Sequence, residues 1–188
     1  DKDRGFSFRF DAPLDMRMDP RGGRSASDIL NTASERELER ILTEFGEEPK
    51  ARAIARSIVM ERRTRSNWTT SAFASLVRRD AHGRPGLDPS TRAFQALRIA
   101  TNRELEGLDK GLDRLAELLR PGGRLAVIAF HSLEDRIVKN VFRNLKTSGA
   151  FELLTPKPVA PQDEETRTNP RARSAKLRVI ERRPETIS

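Results

Sequence analysis

The chain has 188 residues and no cysteine. That excludes thiolate nucleophiles, disulfides and Cys-based zinc sites from these residues, and it fits a cytosolic setting. Long apolar runs are also missing. The longest, Leu125 to Phe130, falls far short of the roughly 20 residues a helix needs to cross a bilayer. No charged, apolar and small-residue succession of a secretory signal is present either. The opening "DKDRGFSFRFDAPLDMRMDP" has no initiator Met and no helix or strand start. It reads as the middle of a longer polypeptide, so a preceding N-terminal portion is expected.

What is present is charge. Lys and Arg exceed Asp and Glu to give +8, while 36% hydrophobic residues are enough for a core in one domain or in one domain with an inserted subdomain. A basic surface of this size favours polyanions, with nucleic acid or an acidic membrane face as the two classes.

Along the chain, Leu14, Met16 and Met18 alternate with Asp15, Arg17 and Asp19. This two-residue period predicts a short edge strand or an ordered loop with one side toward a core. Residues 25–88 read as a separate helical stretch. "SERELERILTEFG" carries Ser34 and Glu37 at capping-box spacing, and Gly46 stands where the helix can stop. In "EPKARAIARSIVMERR", Ala51, Ile54, Ala55 and Ile58 form one stripe and Arg52, Arg56 and Arg63 lie toward another face. Those arginines are either a solvated face or a phosphate-facing row. Trp68, before the helical "TTSAFASLVRR", is either a packing anchor or a base-stacking ring. His82 falls in the loop "DAHGRPGLDPS" as an exposed residue. From Phe94 to Leu119 apolar residues recur at three-and-four spacing, with a bend or break expected near Gly107 and Gly111.

"PGGRLAVIAFHSLEDR", residues 121–136, is the most informative stretch. A turn leads into "LAVIAF", whose lack of alternation predicts a central strand of a parallel sheet buried on both faces. Helical spacing resumes through Leu133, Ile137, Val141 and Leu145. Helix, turn, strand, helix is a unit of a doubly wound α/β fold, in which ligands bind beyond the carboxyl ends of the strands. His131 follows the strand and so stands at that rim. Ser132 is placed to cap the next helix, with Glu134 and Asp135 in its first turn against the helix dipole. His131 and Asp135 are less fully explained by capping. "FELLTPKPV" and "AKLRVIERR" read as two further strands forming an antiparallel pair, joined by a polar loop, "APQDEETRTNPRARS". From Arg167 to Arg178 there are five basic residues and no acid, which suits phosphate or carboxylate contact as well as a plain exposed loop.

The segments "GFSF", "PLDMRMDP", "TRAFQALRIATNRELEGL", "LRPGGRL", "FHSLEDRIVK" and "NPRARSAKLR" occur in this order, and together the chain resembles the ribosomal RNA small-subunit methyltransferase H family. The resemblance covers most of the chain except the helical middle. It implies methyl transfer from S-adenosylmethionine to the exocyclic N4 of a cytosine in small-subunit ribosomal RNA, in the cytoplasm and without a metal. It also implies the C-terminal part of a class I Rossmann-like methyltransferase sheet with a helical insert subdomain. Residues 1–23 would be a remnant of the core after strand four, 24–88 the insert, and 89–188 the C-terminal part of the core. His131, Ser132 and Asp135 are the candidate catalytic residues. Arg98, Asn102, Arg171, Arg173 and Ser174 are the candidate RNA contacts.

The family's glycine-rich cofactor turn, its ribose-binding acid and its catalytic loop all precede the motif matched by "RGFSF". The cofactor-binding residues therefore have no counterparts here, and the chain alone is expected to bind S-adenosylmethionine poorly and to be inactive. The cysteine count agrees with the implied chemistry. Methylation at cytosine C5 needs a thiolate, whereas methylation at the exocyclic amine needs positioning, charge-stabilising acceptors and a route for the proton. Two alternatives stand beside this reading: a class I methyltransferase with another substrate, and a basic RNA-binding module without catalysis.

Overall fold

The computed structural model describes residues 2–81 and 88–184, so the expectation for His82 lies outside the described residues. The chain divides into two compact units, Asp1–Glu104 and Leu105–Ser188.

The first unit is helical. Its helices are α1 (Ala26–Thr32), α2 (Glu35–Glu44), α3 (Ala51–Glu61), α4 (Thr70–Asp80) and α5 (Ser90–Asn102). Each amphipathic stripe faces one shared core: Leu38, Ile41 and Leu42 of α2 join Ile54, Ala55 and Ile58 of α3 and Phe73, Phe94 and Leu97 from α4 and α5. Ser34 caps α2 by accepting from the Glu37 N–H at 3.1 Å, as its spacing predicts. Trp68 is a packing anchor, 2% exposed, with its indole N–H donated to Asn31 Oδ1 at 2.9 Å.

The segment before α1 is an ordered loop with an isolated antiparallel bridge between Pro13 and Thr69, and further backbone hydrogen bonds, such as Thr70 N–H to the Ala12 carbonyl at 2.9 Å and Ser27 N–H to the Leu14 carbonyl at 2.8 Å, tie it to the helices. Leu14 and Met16 are buried, whereas Met18 is 58% exposed. The two-residue period fails at Met18 because Met16 takes a left-handed backbone, φ 61°, which turns the chain. A non-glycine residue there is strained and persists only where its surroundings over-determine it. Here the Met16 N–H donates to the Arg4 carbonyl at 2.8 Å, and Asn102 holds both neighbouring peptides. Gly5 has φ 74°, and a Cβ on it would meet the Pro13 carbonyl oxygen at 2.4 Å, so only glycine allows this close approach.

The second unit is α/β. Its elements are α6 (Leu108–Glu117), β1 (Arg124–Ala129), α7 (Ser132–Thr147), β2 (Phe151–Leu153), α8 (Asp163–Thr168) and β3 (Lys176–Arg182). The helix break falls at residues 103–107, where Arg103 and Gly107 both adopt left-handed backbone; Gly111 is accommodated within α6. The strands form an antiparallel sheet in the order β1-β3-β2. Leu112 and Ala116 of α6, Val138, Val141 and Phe142 of α7, Phe151 and Ile180 make its core. The Arg182 guanidinium donates to the Glu117 and Leu119 carbonyls at 3.0 and 2.9 Å, closing the end of α6.

Two expectations are met differently here. Among the described residues β1 pairs antiparallel with β3 and is buried on one face only. Leu125 and Val127 pack on the core, while Ala126 and Ile128 on the other face are exposed, Ile128 at 56%. Among the described residues β1 has a strand neighbour on one side only, and α7 covers one face of it. Second, the stretch "APQDEETRTNPRARS" is not simply a loop. It contains α8, with Asp163, Glu164 and Glu165 in the first turn, and a 3-10 helix over Pro170–Ser174. Acids placed against the positive end of the helix dipole favour this start.

Candidate functional site

The site is built where β1 ends and α7 begins. His131, not Ser132, is the N-cap of α7. Its backbone is extended, its Nδ1 accepts from the Glu134 N–H at 3.3 Å, and Ser132 is already the first helical residue. The Glu134 carboxylate answers by accepting from the N–H groups of Phe130 and His131 at 2.8 and 3.3 Å. This is a capping box with imidazole in place of a hydroxyl. In this box Nδ1 acts as the acceptor, which sets the orientation of the ring. The His131 side chain is only 6% exposed.

Asp135, one turn on, is buried and paired. Arg178 of β3 donates to it through Nε at 2.7 Å and through a terminal nitrogen at 3.2 Å, and Lys176 Nζ stands 3.4 Å away. Arg178 itself is only 4% exposed. The hydrogen bonds from Arg178, reinforced by the charges of Arg178 and Lys176, outweigh burial and hold the Asp135 carboxyl below its usual range. Both oxygens are thus committed to cations and the group stays ionised near neutral pH. It ties the first turn of α7 to the central strand.

The antiparallel register decides what lies nearby. Ala129, the last residue of β1, is opposite Lys176, the first of β3. The 3-10 helix Pro170–Ser174 leads directly into β3. Arg171, Arg173 and Ser174 therefore enter the sheet at the same end at which His131, Ser132 and Asp135 leave it. Arg171, Arg173 and Ser174 are exposed, and among the described residues the two arginines form no ion pair. Of the five basic residues between 167 and 178, Arg178 is buried and Lys176 is engaged, so neither belongs with a free basic surface.

Arg98 and Asn102 lie in the first unit and are internally committed. Arg98 forms a two-pronged pair with Glu104 at 2.8 and 2.9 Å. The Asn102 amide donates to the carbonyls of Met16 and Arg98 at 2.8 and 2.9 Å, and its oxygen accepts from the Met18 N–H at 2.7 Å. Asn102 thus clamps the Met16–Met18 turn. Sequence reasoning missed both this clamp and the role of Arg178. An arginine at an inward-facing register position between Leu177 and Val179 was the available sign of a buried pair.

Among the described residues no glycine-rich turn follows a parallel strand, the usual cradle of a nucleoside cofactor. Gly122 and Gly123 precede β1, and their N–H groups are spent on the Arg182 and Arg120 carbonyls at 2.8 and 2.7 Å. These residues by themselves do not fit an S-adenosylmethionine site. No described helix is long and apolar enough to cross a membrane.

This α/β unit, with a polar capped helix start beside a basic strand entry, belongs to a chain that matches the MraW methylase family over residues 1–183. The chain is a member of that family. Among its curated relatives are proteins named ribosomal RNA small subunit methyltransferase H. That of Thermomicrobium roseum is 52% identical, over 97% of this chain and 61% of the relative. That of Rhodopseudomonas palustris is 51% identical, over 96% and 58%. That of a Cyanothece species is 54% identical, over 95% and 59%. The chain thus spans about three-fifths of the length of these relatives.

Proposed function

We propose that the whole protein is a cytoplasmic, S-adenosylmethionine-dependent methyltransferase acting on the exocyclic N4 of a cytosine in small-subunit ribosomal RNA. Family membership supports methyl transfer, and the names of the relatives support this RNA as substrate. The observation that carries the reading onto this chain is the β1–β3 register, which brings His131 and Ser132 to one sheet end together with the basic entry Arg171–Ser174. In the proposal that end receives the target nucleotide, unstacked from its neighbours. Arg171, Arg173 and Ser174 hold the RNA backbone, and His131 and Ser132 line the reacting end. Asp135 acts through Arg178 by fixing where α7 starts. Methylation at the exocyclic amine requires no covalent base–protein intermediate, and these 188 residues contain no cysteine to form one.

The finer architecture is part of the same proposal. β1 serves as the fifth strand of a class I sheet and β3 with β2 as its antiparallel end, with residues 24–88 as the helical insert between core segments 1–23 and 89–188. The edge of β1 that is unpaired among the described residues, with exposed Ala126, Ile128 and Phe130 beside it, supports further strands and helices on that side. The proposal is tested by incubating the whole protein with labelled S-adenosylmethionine and small-subunit RNA; absence of labelled RNA contradicts it.

The basic entry gives a separate expected result. Replacing Arg171 and Arg173 with Ala in the whole protein weakens RNA binding similarly across sequences. It lowers the log–log salt slope by roughly 1.4 to 1.8, at about 0.7 to 0.9 per lost phosphate contact. A salt titration with unchanged slope and affinity returns these residues to an exposed basic turn.

A further inference from the structure

Helix α3 buries one face completely. Ala51, Ile54, Ala55 and Ile58 are all at most 4% exposed and lie in the helical core. The opposite side is cationic. Arg52 and Arg56 stand one turn apart, and with Pro49, Lys50 and Ala53 they line a surface cleft of about 360 Å³. Arg63, exposed just beyond the helix end, continues the row two turns after Arg56. At 1.5 Å rise per residue the row from Arg52 to Arg63 is about 16 Å long. Exposed Met60, at 64%, lies within it.

Two acids seen beside the row among the described residues, Glu48 and Glu35, do not neutralise it. Glu48 is buried and accepts from the Lys50 backbone N–H at 2.9 Å. Glu35 approaches Arg56 only to 3.8 Å, with both side chains more than a third exposed, and a pair of that kind is weak and screened. Among the described residues Lys50, Arg52 and Arg63 form no ion pair. An exposed cationic row, with a cleft beside its first two arginines and on a helix whose other face is fully packed, carries little structural duty in this unit. Its charge suits an extended polyanion rather than a protein helix.

We propose that the Lys50–Arg63 face of α3 is a second RNA-binding surface, gripping phosphates of the substrate RNA backbone without reading bases. The inference rests on the RNA-directed function proposed above and adds a site in the helical unit. Arg52 and Arg56 place their guanidinium forks along the cleft, and Lys50 contributes a third charge at its end. Glu35 competes for Arg56 and so moderates the grip.

The test is a salt titration of small-subunit RNA binding by the whole protein, its Arg52→Ala/Arg56→Ala variant and its Glu35→Gln variant. Helix content is checked by circular dichroism; because the exposed positions carry no core packing, it should be unchanged. The double variant is expected to bind about tenfold more weakly near physiological salt, for any RNA sequence, with a slope lower by roughly 1.4. Glu35→Gln is expected to bind more tightly than wild type. An unchanged slope in the double variant, in a protein that still binds and methylates the RNA, overturns this surface and leaves the function intact. Failure of the wild-type protein to bind the RNA overturns both. A loss confined to binding of anionic lipid vesicles, with RNA binding unaffected, also overturns it, because the row then serves a membrane.

Discussion

Replacing Asp135 with Asn is expected to destabilise the α/β unit by about 3–5 kcal/mol, the usual cost of leaving one partner of a buried ion pair uncompensated. Arg178 is almost wholly buried, and its guanidinium would keep a charge with no anion to meet it. Replacing both members together, Asp135→Leu with Arg178→Met, is expected to recover most of the loss, since apolar groups of similar volume commonly substitute for such pairs. Urea unfolding of the two variants beside the wild type measures both effects. Equal stability of Asp135→Asn and wild type contradicts the assignment. The pH dependence has a definite sign. The Asp135 carboxyl is held below its ordinary value of 3.8 in the folded state, chiefly by hydrogen bonding to Arg178. The pair's stabilisation is therefore complete above that ordinary value and is lost as the pH falls through the lower folded value. The Asn variant lacks this acid-sensitive component, so wild type and variant should converge at low pH.

The second large effect concerns His131. In the whole protein, His131→Ala is expected to lower methyl-transfer turnover by roughly 10²-fold, the order of loss that a displacement of about 1 Å at the reacting end can cause. Alanine also removes the cap of α7, at about 1 kcal/mol. His131→Asn separates the two contributions, because Asn is among the best N-caps and restores the bond to the Glu134 N–H while removing the imidazole. Both variants should be slow, and only the alanine variant should show the lost cap in thermal unfolding. Wild-type turnover in His131→Asn would reduce His131 to a capping residue.

Local features of the fold were legible from residue patterns. The buried stripe of α3, the Ser34 cap, the helix break near Gly107, the strand after Pro121-Gly122-Gly123 and the antiparallel strand at "AKLRVIERR" all follow from periodicity and turn chemistry. What escaped depends on contacts distant in sequence. Asp135 and Arg178 are 43 residues apart, and Asn102 is 86 from Met16, so nothing in either neighbourhood announces the partner. Arg98 and Asn102 read as available polar groups on a helix, yet folding commits them to Glu104 and to the Met16–Met18 turn. The cap was misread for a different reason. Ser132 is the commoner capping type, but the extended backbone falls one residue earlier, and imidazole Nδ1 serves as the acceptor. The continuous apolar run of β1 says that its surroundings should be apolar on both faces; it does not say which element covers the second face, and among the described residues Ile128 and Phe130 remain exposed.

The identity of the methylated nucleoside tests the central claim most directly. Small-subunit RNA treated with the whole protein and S-adenosylmethionine is digested and its nucleosides separated by mass-resolved chromatography beside authentic standards. The expected product is N4-methylcytidine, formed more slowly by the His131→Asn variant. Label in 5-methylcytidine, in another base, or in no nucleoside at all contradicts the account.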